Sequence, residues 1–347
     1  MKNIIVAITL VFLFGCGGGG SAPFNSAALN TSSANHLYVV SGACYGGGVT
    51  VATGPTNTVA RYNLKTGAFE DVVVDYNKLM PGDSPVAISD YDSAHLLVLV
   101  ENAAGRRVDI VAKDGSGAST FYINSTALSA VMRAFTILAD LSLLISKSSA
   151  VEKINAAKAR MTVGANPWVN APAGSCAAST TLISSVIVHS SGKIIYTHAA
   201  ATPNNKIGVI SSTGYSTAAD CLSGLAGPTT TALPTRALFH PNGKLLVSYG
   251  STTAASNSVY SYDFNGSTGA IANATSIWND SGILVNGPSS MAVDPDTGDV
   301  FVANALSTYN TIERFQYSSG ALTRATSQPF ILPSAYTRCP ADIKVMN

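Results

Sequence analysis

Pro288-Ser-Ser-Met-Ala-Val-Asp-Pro-Asp-Thr-Gly-Asp-Val-Phe-Val-Ala-Asn304, continued by Thr311-Ile-Glu-Arg-Phe-Gln-Tyr317 and Ser319-Gly320, is the stretch whose reading decides the fold. Short β-branched and aromatic runs separated by Pro, Asp and Gly read as strand, tight turn, strand, loop, strand, turn. Gly298 closes the first turn because it takes a positive φ at no steric cost, and Pro295 and Asp296 before it are turn residues for their own reasons. The same sentence recurs upstream. His189-Ser-Ser-Gly192 and His240-Pro-Asn-Gly243 occupy the turn position, which makes the two histidines structural turn caps.

Working outward, first strands begin near Ser84, Arg133, Ser184, Thr235 and Ser289, and second strands near Leu96, Leu143, Lys193, Lys244 and Val300. Third strands follow, such as Val108-Asp-Ile-Val111, Lys206-Ile-Gly-Val-Ile210 and Ser258-Val-Tyr-Ser-Tyr-Asp263. A period of about 45 to 55 residues with four short strands is the scale of a propeller blade. Five units run from Ser84 to about Leu332. Arg338-Cys-Pro-Ala-Asp-Ile-Lys-Val-Met-Asn347 then reads as a first strand with nothing after it, and His36-Leu-Tyr-Val-Val-Ser-Gly42 as a second strand with nothing before it. Together they make a sixth blade, because an open ring would leave two unpaired edges. The expectation is an all-β chain, a single β-propeller of six four-stranded blades closed by pairing of the C-terminal strand with the N-terminal blade. Seven blades follow if Asn124 to Ala130 or Asn166 to Ala173 holds further strands.

Asp294 to Asn304 and Thr311-Ile-Glu-Arg-Phe315 resemble NHL or YVTN-type propeller repeats, and the resemblance covers nearly all of the chain after Asn35. It implies the fold; the activities carried on that fold range from lactonases to plain binding proteins.

Residues 1–15 read as a signal peptide, with Lys2 as the charged region and Ile4 to Phe14 as an apolar run of eleven residues, short of the roughly 20 a membrane-spanning helix requires. Leu13-Phe-Gly-Cys16 resembles a bacterial lipobox, which implies cleavage before Cys16, its lipidation and, with Gly17 rather than Asp following, an outer-membrane address. Whether the body then faces the periplasm or the cell surface stays open. Residues 16–35 form a Gly/Ser-rich tether whose 19 residues after Cys16 reach roughly 25 Å. Residues 36–347 form the propeller domain. Charged residues make up 11% of the chain against roughly 25% in typical soluble domains, and the net charge is +1. Without a basic stripe there is no footprint for nucleic acid. The chain reads as a monomer.

Four cysteines remain beyond Cys16, and an exported chain with an even number points to two disulfides. Cys339 stands just before a first strand and Cys44 just after the neighbouring second strand; Cys176 and Cys221 lie in connections into consecutive blades. The expected pairs are Cys44–Cys339 and Cys176–Cys221.

There is no nucleophile elbow, zinc-protease helix or phosphate loop. Asp294 to Asp299 lacks the downstream Glu of a calcium loop and reads as a hairpin turn. No catalytic or metal-ligating set emerges. The candidate binding rim consists of Arg236, Arg338 and Asp342 near first-strand starts with Glu101, Asn102, His198, Tyr249 and Asn304 at second-strand exits. Arginines there would clamp a carboxylate or phosphate, or pair with Asp342, Glu101 and carbonyls to plug the channel. The function expected is that of a noncatalytic cell-envelope lipoprotein, a binding or scaffold module for a protein or glycan, needing no cofactor. The alternative is a lactonase-like hydrolase with calcium in the channel, drawing on Glu101, Asn102, Asn304 and Asp342, which stand outside that family's motif context.

Overall fold

Each blade is built because its second strand is apolar on both faces and must be covered on both. In His36–Ser41, Leu37 and Val39 enter one cluster of buried side chains and Tyr38 and Val40 another. A strand buried on both sides reads as a continuous apolar run rather than an alternating one. The computed structural model describes residues 35–42, 56–102, 105–123, 133–147, 150–163, 166–167, 182–199, 206–211, 221–226, 232–251, 256–279, 284–285, 287–305 and 310–347. The segments 124–132 and 168–181 and Cys16, Cys44 and Cys176 lie outside these residues.

Six antiparallel sheets make a six-bladed propeller. The innermost strands are Pro340–Met346, Ser84–Asp90, Phe135–Ile137, Leu182–Val188, Leu233–Phe239 and Pro288–Val293, and each touches the next to close a ring. The second strands are His36–Ser41, His95–Asn102, Leu143–Lys147, Ile194–Ala199, Leu245–Gly250 and Val300–Asn304. The third are Thr58–Asn63, Gly105–Ala112, Ala150–Ile154, Lys206–Ile210, Ser258–Phe264 and Ile312–Ser318. Phe69–Asp75, Ala118–Ile123, Arg160–Val163, Cys221–Ala226, Ile271–Trp278 and Ala321–Arg324 lie outermost. We call the first of these sets the clasp blade and number the others two to six. Asn166–Pro167 adds a short fifth strand to blade three and not a seventh blade.

The clasp pairs His36 with Met346 and Val40 with Asp342 across its two chain ends. Six hydrophobic clusters lie one at each blade interface, so the core is a ring of seams rather than a central mass. The turns between first and second strands hold as expected. Gly192, Gly243 and Gly298 sit at φ 81°, 87° and 77°, each donating back to the first residue of its turn at 2.8–2.9 Å. His240 Nδ1 accepts from Asn242 N–H at 3.2 Å, while its Nε2 donates to the Gly298 carbonyl of the next blade at 2.8 Å. The turn histidine therefore caps its own blade and fastens the neighbour.

A second device repeats near the start of the innermost strands. Registers shift by one residue at Val86, Ser184, Thr235 and Ser289, leaving that residue as a bulge. In three of these the bulge follows Pro85, Pro234 or Pro288, and the clasp strand opens on Pro340. Each of these proline carbonyls receives the preceding blade. Ser184 Oγ donates to Pro234 O at 2.6 Å, and Ser289 Oγ donates to Pro340 O. Gly42 and Gly250 bring their backbones against Pro85 O and Pro288 O, where a Cβ would stand 1.6 and 3.1 Å away.

Candidate functional site

The innermost strands have a partner on only one side, so their other edge presents unpaired backbone groups to the axis. Side chains just after the bulge fill that need from blade to blade. Ser185 Oγ accepts the Ala237 N–H at 3.1 Å, and Ser290 Oγ accepts the Ile343 N–H at 3.4 Å. Asp342 closes the circuit by accepting the Ile88 N–H at 3.0 Å.

At the corresponding position of blade five stands Arg236. It reaches past blade six to Asp342, its Nη2 lying 3.2 Å from Oδ1 and 3.3 Å from Oδ2. Ser290 Oγ donates to Oδ1 at 2.6 Å, and the Ile343 N–H donates to the same oxygen at 3.0 Å. Asp342 is 1% exposed, so all its compensation comes from these donors. Removing one partner of a buried, fully bonded carboxylate leaves a charge with no solvent to take its place.

The other rim residues do not join this pair. Arg338 is exposed, beside the short turn Ala335–Thr337. Glu101 binds Arg106 within its own hairpin, the Arg106 Nε donating to Oε2 at 2.9 Å. Asn102 donates to Asp83 Oδ1 at 2.6 Å and accepts the Gly105 N–H at 2.9 Å. Asp83 also takes Arg107, which chelates Asp109 at 2.7 and 2.9 Å. This network, above the seam between the clasp and blade two, was not legible because Asp83 and Asp109 are far apart in sequence and belong to different elements.

Three expected rim positions are buried between blades. Tyr249 Oη bonds Tyr262 Oη at 2.7 Å, and burial drives the Tyr249 phenol well above its usual pKa. Asn304 donates to the Leu284 carbonyl at 2.6 Å and to Thr311 Oγ1 at 3.2 Å. His198 is fully buried, and neither ring nitrogen has a hydrogen-bond partner among the described residues. Among the described residues no group of three His, Cys, Asp or Glu side chains has the geometry to hold a metal ion. Cys339 is buried at the start of the clasp strand, where its carbonyl accepts the Gly42 N–H at 3.3 Å, two residues before Cys44. Cys221 begins the outermost strand of blade four.

No family model and no curated protein matches the chain. Solved structures do. A protein of unknown function from Bacteroides caccae superposes with a TM-score of 0.57 at 14% identity, covering 91% of this chain and 100% of that one. A chain of a nidogen–laminin complex gives 0.59 at 10% identity over 90% and 98%. A protein from Lactobacillus plantarum gives 0.55 at 13% over 86% and 82%. At these identities the likeness is one of fold.

Proposed function

We propose that this chain is a noncatalytic cell-envelope lipoprotein whose propeller serves as a binding or scaffold module for a protein or glycan partner. The observation that carries the reading is the state of Asp342. Of the four residues an axial calcium enzyme would draw on, it stands on an innermost strand, and its two oxygens are spent on Ile88, Ser290, Ile343 and Arg236. Glu101, Asn102 and Asn304 are likewise committed to bonds within or beside their own blades. Such a set holds the ring together and leaves the exposed rim, with Arg338, for contact.

In this reading the lipid on Cys16 holds the body to the outer membrane, and Cys44–Cys339 and Cys176–Cys221 are its disulfides; peptide mapping without reductant reads both pairs. The activity side is tested on the purified, detergent-solubilised full chain, prepared without chelator. We expect an unchanged melting temperature after EDTA, and no lactone hydrolysis above that of an Asp342→Asn variant. One tightly held calcium per chain, with a melt that drops on chelation and lactone turnover that Asp342→Asn abolishes, would overturn the noncatalytic reading.

A further inference from the structure

In blades two to six a hairpin turn joins the first strand to the second. Two of those turns reach against the following blade. His189 packs on Phe239 and Phe264 of blade five, with ring centres 4.7 and 4.8 Å apart, and His240 packs on Tyr317 of blade six at 4.8 Å. The clasp has no such turn, because its first two strands, Pro340–Met346 and His36–Ser41, stand at opposite ends of the sequence. Where a clasp turn would reach against blade two, a cleft of about 510 Å³ opens instead. His36, Tyr38 and Arg61 line it from the clasp, and His95, Lys113 and Asp114 from blade two. That volume lies within the roughly 300–1,000 Å³ of small-molecule sites.

The cations of these walls already have their acceptors. Arg61 donates through Nη1 to the Lys113 carbonyl at 3.2 Å and through Nη2 to Asp71 at 2.6 Å, and its Nε lies 3.3 Å from Glu70. Lys113 Nζ is shared between Asp90 and the Asn347 carbonyl, each at 2.9 Å. His36 and His95 meet Glu70 and Asp92 through Nδ1 at 2.8 and 2.9 Å. Asp114 is exposed and accepts the Ser116 N–H at 2.9 Å, and a solvated carboxylate holds a cation weakly. The walls therefore suit a neutral ligand better than an ion. What they leave unmet is a hydroxyl. Tyr38 is fully buried, and its Oη has no hydrogen-bond partner among the described residues. Such an orphan costs stability until something bonds it. A sugar hydroxyl can donate to it or accept from it, others can donate to Asp114, and the C–H face of the ring can lie against the imidazoles of His36 and His95.

We propose that this cleft binds a neutral saccharide, one or two rings at the end of a glycan. The proposal rests on the reading of the body as a binding module and gives its glycan form a place.

The test is calorimetric titration of the full chain, in a detergent without a sugar headgroup, with glucose, galactose, mannose, N-acetylglucosamine, maltose and cellobiose. We expect saturable binding of at least one of them with a Kd of about 1 mM. Tyr38→Phe keeps the ring and removes only the orphan hydroxyl, so it should melt no lower than the wild type while weakening that sugar about fivefold. Ala94→Trp, on the exposed turn of blade two beside the cleft, should obstruct it and abolish binding, a reading that holds even if Tyr38→Phe does not fold. No binding by any of the six sugars would overturn the proposal and leave a protein partner for the binding module. A sugar held equally well by the wild type and both variants would overturn the cleft while keeping the glycan. Failure of the binding-module reading itself has a separate signature, lactone turnover that Asp342→Asn abolishes.

Discussion

His198 pairs with Ile183 across blade four and stands edge-on to Tyr196 at 5.2 Å between ring centres, in the seam with blade three. Burial, and after it the charge of Lys206, lowers its pKa from 6.5 to about 4. The unfolded chain takes up this proton near pH 6.5 and the folded chain only near pH 4, so the stability present above 6.5 is lost as pH falls through that window. A shift of that size is worth roughly 3 kcal/mol. Urea unfolding at pH 7 and pH 4.5 should show a smaller loss on acidification for His198→Leu than for the wild type, by about that amount. Equal losses would mean that the imidazole titrates normally in the folded chain. The sequence placed His198, Tyr249 and Asn304 on the rim because they end second strands, and length explains why only some such residues emerge. His95–Asn102 has eight residues and carries Glu101 and Asn102 out of the seam, whereas the six-residue strands Ile194–Ala199 and Leu245–Gly250 finish while still covered by neighbouring blades. Depth of that kind is set by packing between blades, which no local pattern records.

Between elements, the proline carbonyls are the points where one blade docks on the next. A Cβ on Gly42 would overlap Pro85 O at 1.6 Å; Gly42 is held just past its strand by its N–H on the Cys339 carbonyl, and Pro85 by its pairing with Val100. Gly42→Ala should therefore lower the unfolding free energy by about 3 kcal/mol, the upper end for overpacking. Gly250→Ala, whose Cβ would meet Pro288 O at 3.1 Å, needs only a few tenths of an ångström of give and should be far milder. Denaturant melts of the two variants side by side check the order; equal effects would remove the docking argument. The hairpin turns were fully legible in the sequence, since Gly192, Gly243 and Gly298 announce them chemically. The recurrence of Pro85, Pro234, Pro288 and Pro340 was equally visible, but its meaning was not: a proline reads locally as a strand start, and what its carbonyl receives comes from a different blade.

At the scale of the whole molecule, the ring is closed by residues at opposite ends of the sequence, and this too was legible, because two incomplete units explained each other. His36 and Met346 are register partners, so the ends of the body lie one strand spacing apart. A circular permutant that joins Asn347 to Asn35 through a short linker and opens at the Ser319-Gly320 turn should keep the wild-type melt. A chain ending before Pro340 should not fold cooperatively, since it loses the clasp strand, Asp342 and the seam residues Ile343 and Val345. Circular dichroism melts distinguish the two, and a folded truncation would show that closure is dispensable. The clasp also decides how the body answers force. His36–Ser41 is flanked by Pro340–Met346 on one side and Thr58–Asn63 on the other, with six residues in register with each neighbour. A pull on residue 35 runs along that strand, so it loads both ladders in shear and must break them together rather than peel hydrogen bonds singly. The pairing that shuts the ring is thus also what resists a pull at residue 35.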